Sequence, residues 1–153
     1  MPIRHRPAPH PRTTHRPASP EAPKSARPNV ANRASSTILL VDDDAAVREG
    51  LRRVLMTEGW NIIAAGSGEE ALEYLQSHQP HLMITDLSMA AVSGWDLLFH
   101  ENLQRPSLPI FVITALPLDT VGGADKFAHE FFQKPIDLES LLALVHRYIG
   151  APA

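Results

Sequence analysis

From Ser36 onward, short apolar runs alternate with longer stretches in which apolar residues recur every three or four positions. Thr37–Val41 is short and apolar, the pattern of a parallel strand buried on both faces. In residues 45–58 that follow, Val47, Leu51, Val54 and Leu55 stand at helical spacing, and Gly59 occupies the position of a helix-ending glycine. Trp60–Ala65 predicts a second strand. Ser67-Gly68-Glu69-Glu70 reads as a capping box opening a helix that turns Ala71, Leu72 and Leu75 inward. His81–Thr85 predicts a third strand, Trp95–Leu103 a third helix and Pro109–Thr114 a fourth strand. A weak helix is expected within 119–129, and Phe131–Gln133 is a brief fifth strand. Asp137 caps a last helix whose Leu138, Leu141, Leu142, Val145 and Ile149 form an apolar stripe. The alternation defines an α/β protein of (βα)₅ type, with right-handed crossovers and helices on both faces of a parallel sheet.

Composition divides the chain. Residues 1–36 hold seven Lys/Arg (Arg4, Arg6, Arg12, Arg16, Lys24, Arg27, Arg33) against one acid, Glu21, a net charge of +6. The remainder holds seven bases and sixteen acids, a net of −9, so the overall −3 conceals a basic arm on an acidic domain. The arm carries eight prolines. It cannot bury enough surface to offset ordering entropy and is read as disordered, with 37–150 as the folded domain. Its prolines also exclude the amphipathic helix of a transit peptide. A solvated extension is the preferred reading of the arm; contact with nucleic acid, if any, would come from it alone. The absence of cysteine excludes disulfides, thiolate catalysis and Cys-ligated zinc. No apolar run is long enough for a membrane span and none resembles a signal peptide, so a cytoplasmic location without membrane contact is expected.

The strand ends carry the chemistry. The first expected strand runs into Asp42-Asp43-Asp44, and the third into Asp86. The fourth ends in Thr114-Ala115 and the fifth in Lys134-Pro135. In an open parallel sheet, ligands bind at this carboxyl edge, where the strand order reverses. Taken singly these residues mean little: Asp44 reads as a helix N-cap, Thr114 as an ordinary strand end, Lys134 as a loop lysine and Phe131 as core. Taken together, Leu40-Val41-Asp42-Asp43-Asp44, Gly68-Glu69-Glu70-Ala71-Leu72, Ile84-Thr85-Asp86-Leu87-Ser88-Met89, Ser93-Gly94-Trp95-Asp96-Leu97-Leu98, Ile113-Thr114-Ala115 and Lys134-Pro135 resemble the receiver domain of two-component response regulators. The resemblance covers about residues 37–150.

That resemblance implies a flavodoxin/CheY-like sheet of strand order 2-1-3-4-5. It implies that Asp86 accepts a phosphoryl group, and that Asp42, Asp43, Asp86 and the Ser88 backbone carbonyl hold Mg²⁺ or Mn²⁺. Thr114 would hydrogen-bond the bound phosphoryl, Lys134 would pair with it, and Phe131 would occupy the aromatic switch position. The implied partners are a sensor histidine kinase or phosphotransfer protein and an unidentified downstream protein. The output surface would be the face of the fourth helix, fifth strand and fifth helix, which could also form a homodimer. The protein would be a phosphoacceptor that assists its own phosphorylation and dephosphorylation, not an enzyme acting on other substrates. No output segment follows the last helix, from which a stand-alone receiver acting by protein contact is expected.

Elementary electrostatics agrees. Three carboxylates within ~5 Å repel by roughly 3 kcal/mol per pair at an effective dielectric near 20. A hard divalent cation with oxygen ligands removes that cost, and Mg²⁺ suits carboxylates together with phosphate. A phosphatase of the haloacid-dehalogenase type would want a second aspartate where Ser88 stands, and a nucleotide-binding domain a glycine-rich turn after the first strand. The alternative of another kind is a pseudo-receiver, a phosphate-independent binding module. It draws on two departures: Ala90-Ala91 follows Met89, and Pro117 with Gly122-Gly123 weakens the fourth helix. Neither Ser88 nor Leu116 is a carboxylate or amide that could orient a hydrolytic water, so slow self-dephosphorylation is expected. His78, His81, His100, His129 and His146 share no ligand spacing and read as surface or rim residues. Specific metal binding by His5, His10 and His15 of the arm is not expected either.

Overall fold

Five strands lie side by side in the computed structural model, which describes residues 35–87, 96, 97, 100, 101, 104–121 and 126–150. They are β1 (Thr37–Val41), β2 (Asn61–Ala65), β3 (Leu82–Asp86), β4 (Ile110–Thr114) and β5 (Glu130–Gln133). All pairings are parallel and the order is β2-β1-β3-β4-β5, as the resemblance implied. The order reverses between β1 and β3, which places the carboxyl ends of these two strands at the switch point.

Side chains on a strand alternate between faces, and the core follows that period. Leu39, Val41, Met83, Ile110 and Val112 face one way, into a cluster with Ala71, Leu75 and Leu97. Ile38, Leu40, Leu82, Ile84, Phe111 and Ile113 face the other, into a cluster with Leu51, Leu55, Leu141 and Val145. Leu51 and Leu55 belong to α1 (Ala45–Thr57), Ala71 and Leu75 to α2 (Gly68–Leu75), and Leu141 and Val145 to α3 (Leu138–Ile149). Every residue of β3 and β4 is buried, which is why these strands read as unbroken apolar runs.

Local signals act as read. Asp44 Oδ1 accepts from the backbone N–H groups of Ala46 and Val47, at 3.0 and 3.2 Å. Gly59, with φ of 102°, sits just past α1, a conformation that needs glycine. Ser67 Oγ accepts from the Glu70 N–H at 3.1 Å, while Glu70 Oε2 takes the Gly66 N–H at 2.9 Å in place of the Ser67 N–H of a full capping box. Asp137 caps α3 through the Ser140 N–H. His81 and His129 are exposed, as expected of rim histidines, yet each ties down a strand. His81 Nδ1 accepts from the Thr37 N–H at 3.0 Å, and His129 Nδ1 from the Ile110 N–H at 3.1 Å.

One expectation is corrected, and another falls partly outside the described residues. Among the described residues between β4 and β5, Leu118–Thr120 form a 3₁₀ turn and Lys126 is also in 3₁₀ conformation; residues 122–125, the middle of the weak helix expected within 119–129, lie outside the described set. Leu138 is 40% exposed, not part of the inward stripe, because it stands at the first turn of α3 ahead of the sheet contact made by Leu141 and Val145. In the third helical stretch, Asp96, Leu97, His100, Glu101 and Gln104 are helical, with Leu97 and Glu101 buried; Trp95 and Leu103 lie outside the described residues.

Candidate functional site

The strand termini bring the charged residues together because the backbone ladder continues just past each strand. The Asp42 N–H donates to Ala65 O at 3.1 Å, tying the end of β1 to the end of β2. The Lys134 N–H donates to Thr114 O at 2.8 Å, tying the residue after β5 to the end of β4. Asp86 is the last residue of β3, paired with Ile113 of β4. Asp42, Asp86, Thr114 and Lys134 thus stand on adjacent strand ends of one sheet edge.

The carboxylates converge. One ligand atom from each of Asp42, Asp43 and Asp86 can be chosen so that all three lie within 4.8 Å of one another. Asp42 and Asp86 are buried and Asp43 is exposed, so the cluster opens to solvent through Asp43. Lys134 Nζ bridges the two buried acids, at 3.1 Å from Asp42 Oδ2 and 2.8 Å from Asp86 Oδ2. Burial, the largest influence, pushes the Asp42 carboxyl above its ordinary range, against hydrogen bonds from the Asp44 N–H and Lys134; the nearby Asp86 charge adds to the rise. Burial alone would depress the Lys134 ammonium, but its bonds to Asp86 and Asp42 outweigh it and hold the group above its ordinary value.

The remaining sequence-derived residues fall at the rim or behind it. Thr114 is fully buried, and its Oγ1 accepts from the Leu116 N–H at 3.0 Å. Phe131 pairs with Val112 across β4 and β5 and packs, partly buried, on the core cluster that includes Val112 and Val121. Ser88, expected to offer its carbonyl, lies outside the described residues, as do Met89, Ala90 and Ala91. The carboxylate set fits a hard divalent cation: the donors are all oxygens, three are within bridging reach, and one side of the cluster faces solvent. A single lysine cannot balance three such charges.

Sequence reading missed Arg48. From the first turns of α1 its Nη1 donates to the Asp42 backbone carbonyl at 2.6 Å. Its guanidinium also lies against Gly66, where an added Cβ would come 3.2 Å from Nη1. The only sequence signal was a basic residue one helical turn past an acidic cap, which is too common to single out.

A doubly wound five-stranded sheet with an acidic cluster at its switch point and a lysine just past the last strand defines a receiver domain, and the chain belongs to that family. The response regulator receiver domain model matches residues 38–146. Among relatives, "Response regulator RR06" of Streptococcus pneumoniae is 40% identical over 75 residues, covering 49% of this chain and 34% of that protein. The chain therefore spans about a third of the length of the curated relatives it matches. A response regulator receiver protein from Pseudomonas putida superposes with a TM-score of 0.70 at 34% identity, covering 75% of this chain and 98% of that one. The response regulator TrrA of Thermotoga maritima, solved in complex with Mg²⁺–BeF, gives a TM-score of 0.69 at 29% identity, covering 74% and 98%. No helix among the described residues is long and apolar enough to cross a membrane.

Proposed function

We propose that this chain is a phosphoryl-accepting switch of a phosphorelay, esterified on Asp86. The donor is a phosphohistidine of a sensor histidine kinase or phosphotransfer protein. A carboxylate oxygen of Asp86 attacks the phosphorus, the P–N bond breaks, and the donor imidazole leaves with the electron pair, giving an acyl phosphate. Asp42, Asp43, Asp86 and the Ser88 carbonyl hold Mg²⁺, or Mn²⁺ in its place, which supplies positive charge to the phosphoryl oxygens. Lys134 moves its pairing from the bare carboxylates to the phosphoryl group. Thr114, whose oxygen already accepts from the Leu116 N–H, keeps its hydroxyl proton free to donate to the same group. Phe131, close behind β4, follows the displacement and carries the change to the face of the fourth inter-strand connection, β5 and α3. An unidentified downstream protein, or a second copy of the chain, reads that face in the cytoplasm.

The observation that carries this reading is the Lys134 ammonium bridging Asp42 and Asp86, with Asp43 in ligand range. The test is incubation with acetyl phosphate and Mg²⁺, followed by intact mass. Wild type gains one phosphoryl group, removed by hydroxylamine, and Asp86→Asn gains none. A wild type that never gains mass sinks the reading in favour of a phosphate-independent binding module.

A further inference from the structure

We propose that Arg48 is a positioning residue for the metal-holding acids, clamping the peptide that joins Asp42 to Asp43. The inference rests on the proposed function and concerns the same site. Asp42 has four hydrogen-bonding groups, and each has a partner. Its N–H donates to Ala65 O at 3.1 Å, its Oδ1 accepts from the Asp44 N–H at 2.9 Å, its Oδ2 accepts from Lys134, and its carbonyl accepts from Arg48 Nη1 at 2.6 Å. The fourth is the contact that concerns Asp43. The Asp42 carbonyl and the Asp43 nitrogen share one rigid peptide plane, so a donor fixed on the carbonyl fixes the direction in which the chain delivers Asp43. Asp43 is the exposed member of the cluster and lacks the burial that holds Asp42 and Asp86.

Gly66 supplies the second, independent observation. Its φ is not in the left-handed region, unlike Gly59 and Gly150, so the backbone does not require glycine there. Space does. A Cβ on Gly66 would lie 3.2 Å from Arg48 Nη1, 3.5 Å from Cζ and 3.7 Å from Nη2, a contact along the whole guanidinium. The turn after β2 is therefore shaped to seat a flat, forked cation whose Nη1 reaches the carbonyl. Gly66 is itself held, through its N–H, by Glu70 Oε2. Lysine carries the charge of arginine but neither its plane nor its fork. Groups that orient a metal's ligands without touching the metal change its affinity by about tenfold or more when removed.

The test is Mg²⁺ titration of the whole chain by calorimetry, with thermal melting of each protein in chelator. Arg48→Met is expected to weaken Mg²⁺ about tenfold. Arg48→Lys should recover part of the loss, and Gly66→Ala should weaken Mg²⁺ in the same direction by less. Gly66→Ala is expected to melt in chelator with wild type, which separates positioning from general damage and decides the matter should Arg48→Met fail to fold. If Arg48→Met and Gly66→Ala both bind Mg²⁺ within about twofold of wild type, or weaken it only in step with lost metal-free stability, the inference is overturned. A wild type that takes up no Mg²⁺ overturns this inference and the proposed function together; unaffected variants of a Mg²⁺-binding wild type remove Arg48 alone.

Discussion

Replacing Lys134 by methionine keeps an apolar stem and removes the charge that bridges the buried acids Asp42 and Asp86. The side chains of Asp42 and Asp86 are only 3% and 6% exposed, that of Lys134 21%. At its distances of 3.1 and 2.8 Å, each attraction amounts to about 5–6 kcal/mol at an effective dielectric near 20, before desolvation is counted. Desolvation cancels much of that, and removing one partner of a buried pair costs about 3–5 kcal/mol in practice. The partial exposure of Lys134 points to the lower end, about 3 kcal/mol, or a fall in melting temperature of roughly 10 °C for a domain of this size. The measurement is thermal melting in chelator and again in Mg²⁺. Wild type gains stability from Mg²⁺ by mass action, and Lys134→Met gains more, because the lysine no longer competes for the carboxylates. The sign with pH follows from the raised Lys134 value. Its contribution is fully present below the unfolded lysine pKa near 10.4 and is lost as pH rises through the higher folded value, so the alkaline loss of stability is shallower in Lys134→Met. A variant that melts in chelator at or above the wild-type temperature would refute the reasoning, since the ammonium would then be solvated and the acids indifferent to it.

The Asp42 carboxyl, raised by burial, must be ionised to hold a cation. Mg²⁺ affinity should therefore decline on acidification already above pH ~4, where an ordinary aspartate remains charged. Calorimetric titration across that range checks it; affinity that stays flat until ordinary aspartate protonates would contradict the burial argument. Neither Ser88 nor Leu116 is a carboxylate or amide that could orient a hydrolytic water, so loss of the phosphoryl group should be slow in wild type and faster in Ser88→Asn. Following the decay of phosphorylated protein by intact mass decides it, and a wild type already losing the group within minutes counts against it.

The fold was legible because period and punctuation agreed along the domain. β3 and β4 are buried on both faces, so their sequences are nearly pure apolar runs. α1 and α3 each bury one narrow stripe, which keeps helical spacing readable in Leu51 and Leu55 and in Leu141 and Val145. The site was legible for a related reason: a parallel sheet delivers its strand ends to one edge, so a carboxylate or lysine at the end of an apolar run has its address written beside it. Leu138 misled because a helix stripe extrapolated to the first turn overruns the sheet it packs on. The weak helix expected within 119–129 had little to be read from, because Pro117 and Gly122-Gly123 lower helix propensity there, and residues 122–125 lie outside the described set. Arg48 was invisible for a different reason. Its partner is a backbone carbonyl and its seat is a missing side chain at Gly66. Neither is written in the residue types around it.

The same geometry separates what is fixed at this edge from what can move. Asp42 is tied to the end of β2 and Lys134 to the end of β4 by backbone hydrogen bonds that extend the ladder, and Asp86 is itself a ladder residue. A phosphoryl group adding roughly 1.5–2 negative charges meets three residues whose backbones cannot shift without breaking sheet pairing, so there only the Lys134 side chain re-pairs. Thr114 differs. Its side chain is held by a local bond to the Leu116 N–H, and the chain beyond runs through exposed Leu116 and Leu118 into the 3₁₀ turn at Leu118–Thr120. A hydrogen bond to a charged group is worth about 1.5–3 kcal/mol, which exceeds the ~1 kcal/mol of a typical neutral one and so can redraw that turn while leaving the sheet intact. Under the proposed function the conformational response starts in the segment after β4, because among the described residues of the pocket wall that segment has least pairing to lose, and Phe131 carries it onward.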